Sequence, residues 1–228
     1  MKKLGIVLLV LGVLLVVALG VGFWLDGKAR SMAEAEAQKR IVEVLPRMRS
    51  ATVEIEGFPF LVDVLLFGTV DKLNVKLTEI EGAGVSIESV VLVVDKLRID
   101  RDLLLDQQKL QVTGIDRAEV TARLTGEAIS KVLREPIQLE GTKAKVQSHG
   151  LSAEAKLAVK GRRVEIELSA EGLPPEARAY LGRPLVFQLP PEEVLPCEPG
   201  LRVVDSRLEL ACTVTELPAS VKRALGQR

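Results

Sequence analysis

Few side chains in this sequence are of the kind that make or break bonds, and their spacing argues against that use. The only histidine, His149, sits in Ser148-His149-Gly150, which reads as a turn, and no Gly-x-Ser-x-Gly stretch supplies a nucleophile for it to serve. Asp100 and Asp102 form a candidate carboxylate pair. Within Arg98-Ile99-Asp100-Arg101-Asp102, however, they alternate with arginines and read as a solvated, charge-paired strand face. Gly82-Ala83-Gly84 lacks the lysine and helix start that a phosphate cradle needs, so it reads as a turn. Cys197 and Cys212 are the only cysteines. A metal would require more ligands than these two, whereas outside the cytoplasm such a pair is expected to be bridged. Arg162 and Arg163, at the tip of a predicted hairpin, offer cations to a lipid headgroup or simply to water. No catalytic residue, metal or cofactor is expected.

What the residues can do is hold apolar matter. Gly57 to Gly68 (GFPFLVDVLLFG) places Phe58, Phe60 and Phe67, three of the five phenylalanines, among Leu61, Val62, Val64, Leu65 and Leu66. Pro59 suits the first turn of a helix and Gly68 its C-terminal stop, so the stretch predicts a helix of about two turns. Only Asp63 breaks its apolar circumference. A short helix apolar almost all round is buried in a core or touches lipid, and both readings stay open here. Val90–Val94 (VVLVV), which includes Val91 and Val93, is a continuous apolar run that is either fully buried or lines an apolar interior. Nucleic acid is excluded as a partner: 31 basic residues balance 31 acidic ones, leaving no basic field. With one Tyr and one Trp in the whole chain, stacking platforms for bases or sugars are missing as well.

Three regions must position these residues. Leu4–Leu25 is 22 residues without a charge. At about 1.5 Å per residue it covers roughly 33 Å, enough for a hydrocarbon core of about 30 Å. Its length and its bulky exit, Gly22-Phe23-Trp24-Leu25, favour a retained anchor over a cleaved signal. Lys2 and Lys3 favour a cytoplasmic N-terminus, with the remainder of the chain on the far side. Residues 26–50 form a juxtamembrane segment. Within it Ser31–Arg49 predicts an amphipathic helix, with Ser31 as N-cap, Glu34 at the capping-box position, Ala33, Ala37 and Ile41 on one face, and Pro46 at its end. Residues 51–228 then make one domain. Thr52–Glu56, Lys72–Thr78, Leu110–Ile115, Ala118–Leu124, Ser152–Val159 and Val164–Ala170 alternate apolar with polar and predict strands with one wet face. Lys160-Gly161-Arg162-Arg163 and Asp205-Ser206 predict hairpin turns, and Gly126–Glu135 and Pro174–Leu181 predict short helices. The fold class is α+β, dominated by long, mostly antiparallel strands.

The Gly57-Phe58-Pro59-Phe60-Leu61 stretch, its following Gly68 and the charged alternating strand Asp71–Thr78 resemble the LmeA-like phospholipid-binding proteins, formerly a bacterial domain of unknown function. Leu195-Pro196, Gly200–Val204 and Arg207–Leu210 match the same family more loosely. The resemblance implies a non-enzymatic, extracytoplasmic, membrane-associated protein with phospholipid as its ligand. It also implies kinship with tubular lipid-binding domains, in which a long, strongly twisted sheet wraps around a helix. On that implication Phe58, Phe60, Leu61, Val64, Leu65, Phe67, Val91 and Val93 are the candidate lipid-contacting residues. The rival reading is an assembly module that docks an envelope-building partner protein through residues 57–68.

Overall fold

A computed structural model of the chain describes residues 22, 24–43, 48–82, 85–107, 109, 111–148, 151–168, 184–189, 195 and 197–217. A helix, α1, runs over residues 24–43. It is followed by β1 (Met48–Glu56), a one-turn helix α2 (Phe60–Val62) that widens into a π-helical turn over Asp63–Phe67, and the long strands β2 (Thr69–Gly82) and β3 (Val85–Ile99). Then come α3 (Arg101–Gln107), β4 (Val112–Gly114), β5 (Arg117–Thr125), α4 (Gly126–Leu133) and β6 (Ile137–Glu140). β7 (Lys143–Ser148), β8 (Leu151–Lys160), β9 (Arg163–Leu168), β10 (Leu185–Gln188), β11 (Gly200–Val204) and β12 (Arg207–Val214) complete the described elements. Among the described residues all strand pairs are antiparallel. They form two open sheets, one in the order β1-β2-β3-β5-β12-β11 with β4 beside β3, the other β10-β9-β8-β7-β6.

The β2–β3 hairpin is the spine of the molecule, and its side-chain alternation slips twice. Glu79 and Lys96 both adopt φ near 49°, in the left-handed region that rotates a strand about its axis. The residues opposite turn with them, so the pairing register is unchanged along the whole ladder. The inward-facing pairs are therefore Ile80 with Ile87, then Leu77 with Val90, Val75 with Leu92 and Leu73 with Val94, and finally Val70 with Leu97. One ribbon thus keeps an apolar face inward over its full length.

Each end of that ribbon has its own core. At the tip, Ile80, Val85, Ile87 and Val90 pack with α4, through Ile129, and with the inner face of the second sheet, through Leu139, Val146, Val164 and Ile166. α4 starts at Thr125, whose hydroxyl accepts the Ala128 N–H at 3.1 Å, and stops at Arg134 in the left-handed conformation before Pro136. At the open end, Val70 and Ile99 pack with Ile55, Phe60 and Val64. Val70 and Ile80 are separated by about 33 Å of strand at roughly 3.3 Å per residue, so the two cores lie at opposite ends.

Several sequence expectations need correction. Ser31 is not an N-cap. The helix already runs through residues 24–30, and the Glu34 carboxylate leaves its own helix to accept the Ile55 N–H at 2.8 Å. Asp100 and Asp102 do not share a strand face. Asp100 caps α3 by accepting the Leu103 N–H at 3.0 Å, while Asp102 is an exposed ion-pair partner of Arg101. Val90–Val94 is not fully buried: Val90 and Val94 are buried at its ends and the three residues between them are half-buried. The strand expected over Leu110–Ile115 contracts to Val112–Gly114, and β6, β7 and β10 are additions to the expected set. Most of the expected anchor Leu4–Leu25, Pro46, Ala83 and Gly84, His149 and the helix expected over Pro174–Leu181 lie outside the described residues. Among the described residues no helix is long and apolar enough to cross a membrane.

Two features hold the β11–β12 edge. Cys197 and Cys212 are joined, with Cα atoms 6.0 Å apart and a sequence separation of 15. Closing a loop of that size contributes about 3 kcal/mol. Glu209, only 3% exposed, takes the guanidinium of Arg202 (Nε, 2.7 Å) and that of Arg123 (Nε, 3.1 Å). Burial pushes its carboxyl up, but the hydrogen bonds and charges of Arg202 and Arg123 outweigh it and hold the group below its ordinary value of 4.5. A carboxyl depressed in the fold stabilises above its unfolded value, and loses that contribution as pH falls through the folded one. Urea midpoints measured from pH 6 downward are therefore expected to drop more steeply below about pH 4.5 in the parent than in Glu209→Gln. Parallel curves would show that the carboxylate contributes nothing.

Candidate lipid-contact site

The Phe-rich turn is divided between two environments. Phe60 and Val64, one helical turn apart, face inward at 8% exposure each and pack on Ile55, Val70 and Ile99. Phe58 and Phe67 face outward at 60% and 68%, with Leu66 and Leu65 beside them, and Leu61 is half-buried. The core reading thus describes Phe60 and Val64, and the exposed reading describes Phe58, Leu65 and Phe67. The π-helical geometry follows from where the turn must stop. Gly68 adopts φ +64°, its N–H reaches the carbonyls of Asp63 and Val64, and its own carbonyl accepts the Ile99 N–H at 2.8 Å. A Cβ at this glycine would sit 2.8 Å from the Ile99 carbonyl oxygen, so no other residue fits without displacing β3.

The turn is gripped from outside by α1. Asp26, Arg30 and Glu34 fall at i, i+4 and i+8, on one face of the helix. Asp26 Oδ1 accepts the Leu61 N–H at 2.7 Å, the Arg30 guanidinium donates to the Gly57 carbonyl, and Glu34 takes the Ile55 N–H. Pro59, at the N-cap position of α2, has no side chain able to cap, so Asp26 supplies the acceptor from a different helix. Asp26 is 3% exposed and is paired with Arg30 at 3.1 Å, its nearest compensating charge. Sequence reasoning misses this trio. The 4-residue spacing of Asp26, Arg30 and Glu34 is legible, but in the sequence Asp26 reads as the boundary of a membrane segment and Glu34 as a local cap. Ala33, Ala37 and Ile41 do share the half-buried face, as expected.

Between the two cores, the inward face of the long hairpin is lined by Leu73, Val75, Leu92 and Leu97. Leu73 and Leu97 pack both on the Phe60 core and on a third cluster formed by Val94, Ile115 and Ala118, and Leu73, Leu92 and Leu97 are half-buried rather than fully covered. They form an apolar floor that side chains do not fully cover. Val91 and Val93 lie on the reverse face. There Val91 sits between Lys76 and Thr121 and Val93 between Asn74 and Glu119, a polar surface, and the clusters containing Phe60 and Val94 do not include them. The structure therefore does not bring the two valines together with the Phe-rich turn.

Other candidates are accounted for differently. Arg162 donates to the Leu195 carbonyl at 3.1 Å, so it serves the fold at the β8–β9 turn. A cavity of about 250 Å³ lies at the seam of β7, β8 and β11, and Lys143, Glu154 and Arg202 line much of it. Its size and polarity are wrong for acyl chains, which need a longer and more apolar enclosure.

The family model for LmeA-like phospholipid-binding proteins matches residues 25–212. No curated protein and no solved structure matches the chain.

Proposed function

The chain belongs to the LmeA-like phospholipid-binding family, and from that premise we propose that it holds or passes a phospholipid without enzymatic chemistry, its acyl chains lying along the floor of Leu73, Val75, Leu92 and Leu97. The supporting observation is that this floor is apolar over the length between the two cores and that three of its leucines are only half-buried. Phe60 and Val64 close one end of it and the second sheet closes the other. In this reading the sheet-and-helix arrangement is a tubular lipid-binding fold, with α1 lying against the open end of the long hairpin. The 22 uncharged residues Leu4–Leu25 anchor the protein in the cytoplasmic membrane, and the domain works on the extracytoplasmic side in envelope maintenance.

The test is native mass spectrometry of the full chain, released from detergent after expression with export, together with lipid extraction of the same sample. One phospholipid per chain is expected, with loss of that lipid in Leu73→Gln/Leu97→Gln, because two buried amides next to an acyl chain would lack hydrogen-bond partners. A folded parent chain that carries no lipid, and takes none from vesicles, sinks the proposal. It would favour the rival, docking of an envelope-building protein through residues 57–68, which rests on the exposure of Phe58 and Phe67.

A further inference from the structure

Three separate elements expose large apolar side chains at one end of the molecule: Trp24 at the start of α1, Phe58, Leu65, Leu66 and Phe67 in the turn, and Leu105 in α3. The three elements are tied together by hydrogen bonds from side chains to main-chain groups. Asp26 Oδ1 holds the Leu61 N–H at 2.7 Å, and Arg101 Nη1 donates to the Leu66 carbonyl at 3.1 Å. None of the six belongs to a described core cluster. Together they make an apolar tip, the kind of exposed patch that marks a partner or a membrane.

The chain itself indicates which. The uncharged run Leu4–Leu25 ends at Trp24 and Leu25, just before Asp26, whose carboxylate holds the Leu61 N–H, so the medium that receives that run lies at the same end of the molecule as the turn. The rim has the matching chemistry. The Lys28 ammonium lies 5.7 Å from the centre of the Trp24 ring, a cation set where phosphates would lie, while the Arg101 guanidinium beside Leu66 is paired with Asp102 at 3.2 Å. We propose that this tip is a bilayer-docking surface, with Phe58, Leu66 and Phe67 inserted at the boundary between headgroups and acyl chains. The inference rests on the membrane reading of residues 4–25 but not on the lipid floor. The tip sits in the bilayer, and the floor holds a lipid.

The chain's single tryptophan makes the test direct. The full chain carrying Trp24→Phe and Phe67→Trp is reconstituted in phosphatidylcholine vesicles with a minority of phosphatidylglycerol, in which the phosphatidylcholine is brominated at a shallow acyl position. Emission at position 67 is expected to fall about twofold, as for a ring in the acyl boundary. A Trp24→Phe/Val186→Trp control, on the exposed surface of β10 in the second sheet, is expected to remain unquenched. Adding Leu66→Asp and Leu105→Asp, both exposed at the tip, should return position 67 to the level of the control. The extracted lipid count per chain should stay at the parent's value. Position 67 quenched no more than position 186 overturns the proposal. So does protection of position 67 from aqueous quencher without bromine quenching, which would mean that a protein, or a second copy of the chain, covers the tip. Restored emission accompanied by loss of the extracted lipid also overturns it, because these residues would then belong to the floor. An empty parent chain whose position 67 is still quenched would sink the lipid floor and leave the docking tip standing.

Discussion

Asp26→Ala is expected to destabilise the full chain by about 3 kcal/mol, with the loss centred on residues 55–68. Removal of this carboxylate does two things at once. The Leu61 N–H loses its acceptor, which is the cap of α2 since Pro59 offers none, and Arg30 loses its paired charge. Arg30 is partly buried and keeps the Gly57 carbonyl. Breaking a buried pair by deleting one member is costly because the other charge stays in the low-dielectric site. Asp26→Asn should fall between, because its amide oxygen can still accept from Leu61 while the charge is gone. Thermal unfolding gives the total, and hydrogen exchange at the Leu61 amide gives its location. An unchanged melting temperature, or exchange that accelerates evenly over both sheets, would show that α1 does not hold the turn. A chain shortened to begin at Ser31 lacks Asp26 and Arg30, and should show the same local loss.

Phe60→Ala and Phe67→Ala should differ by several-fold in cost, although the residues stand seven positions apart in one short turn. Phe60 is 8% exposed and packs on Ile55, Val70 and Ile99, so truncation leaves a cavity at the open end of the hairpin and costs about 3 kcal/mol. Phe67 is 68% exposed, and its loss should stay within about 0.5 kcal/mol. Denaturant midpoints decide the matter. Equal losses would mean that Phe67 is buried in solution, by self-association or by a core arrangement unlike this one. A cheap Phe60→Ala would remove the claim that the turn is anchored through that ring.

How far the sequence reveals this depends on the range of the forces involved. Alternation in Ala118–Leu124 and Lys72–Thr78 is a local consequence of one wet and one buried face, and those strands appear where expected. The apolar circumference of residues 60–67 is legible, but its division is not: inward Phe60 and outward Phe67 are fixed by what lies across the fold. The reversals of facing at Glu79 and Lys96 are invisible in the sequence, because neither residue is one that normally adopts positive φ. Without them, Val91 and Val93 look as suitable a lining as Leu92. The short strands β6, β7 and β10 carry four to six residues each, too few for a period to stand out. Asp100 is easily misread because its partner, the Leu103 N–H, exists only once α3 forms.

The grip of α1 on the turn has one further property. All three of its polar side chains hold main-chain groups: the N–H of Ile55, the carbonyl of Gly57 and the N–H of Leu61. Of the three gripped groups, the two N–H donors are available from any residue but proline, and the carbonyl from any residue at all. The clasp is therefore indifferent to the side chains it carries, apart from the glycines at the bends. Phe58 and Leu61 can be exchanged for other residues without loosening the mount, and the same holds for Leu66 and Phe67 further along. The scaffold and its business end are separable parts, a fixed bracket with an interchangeable fitting. What this protein touches can thus be retuned by substitutions that leave its fold alone.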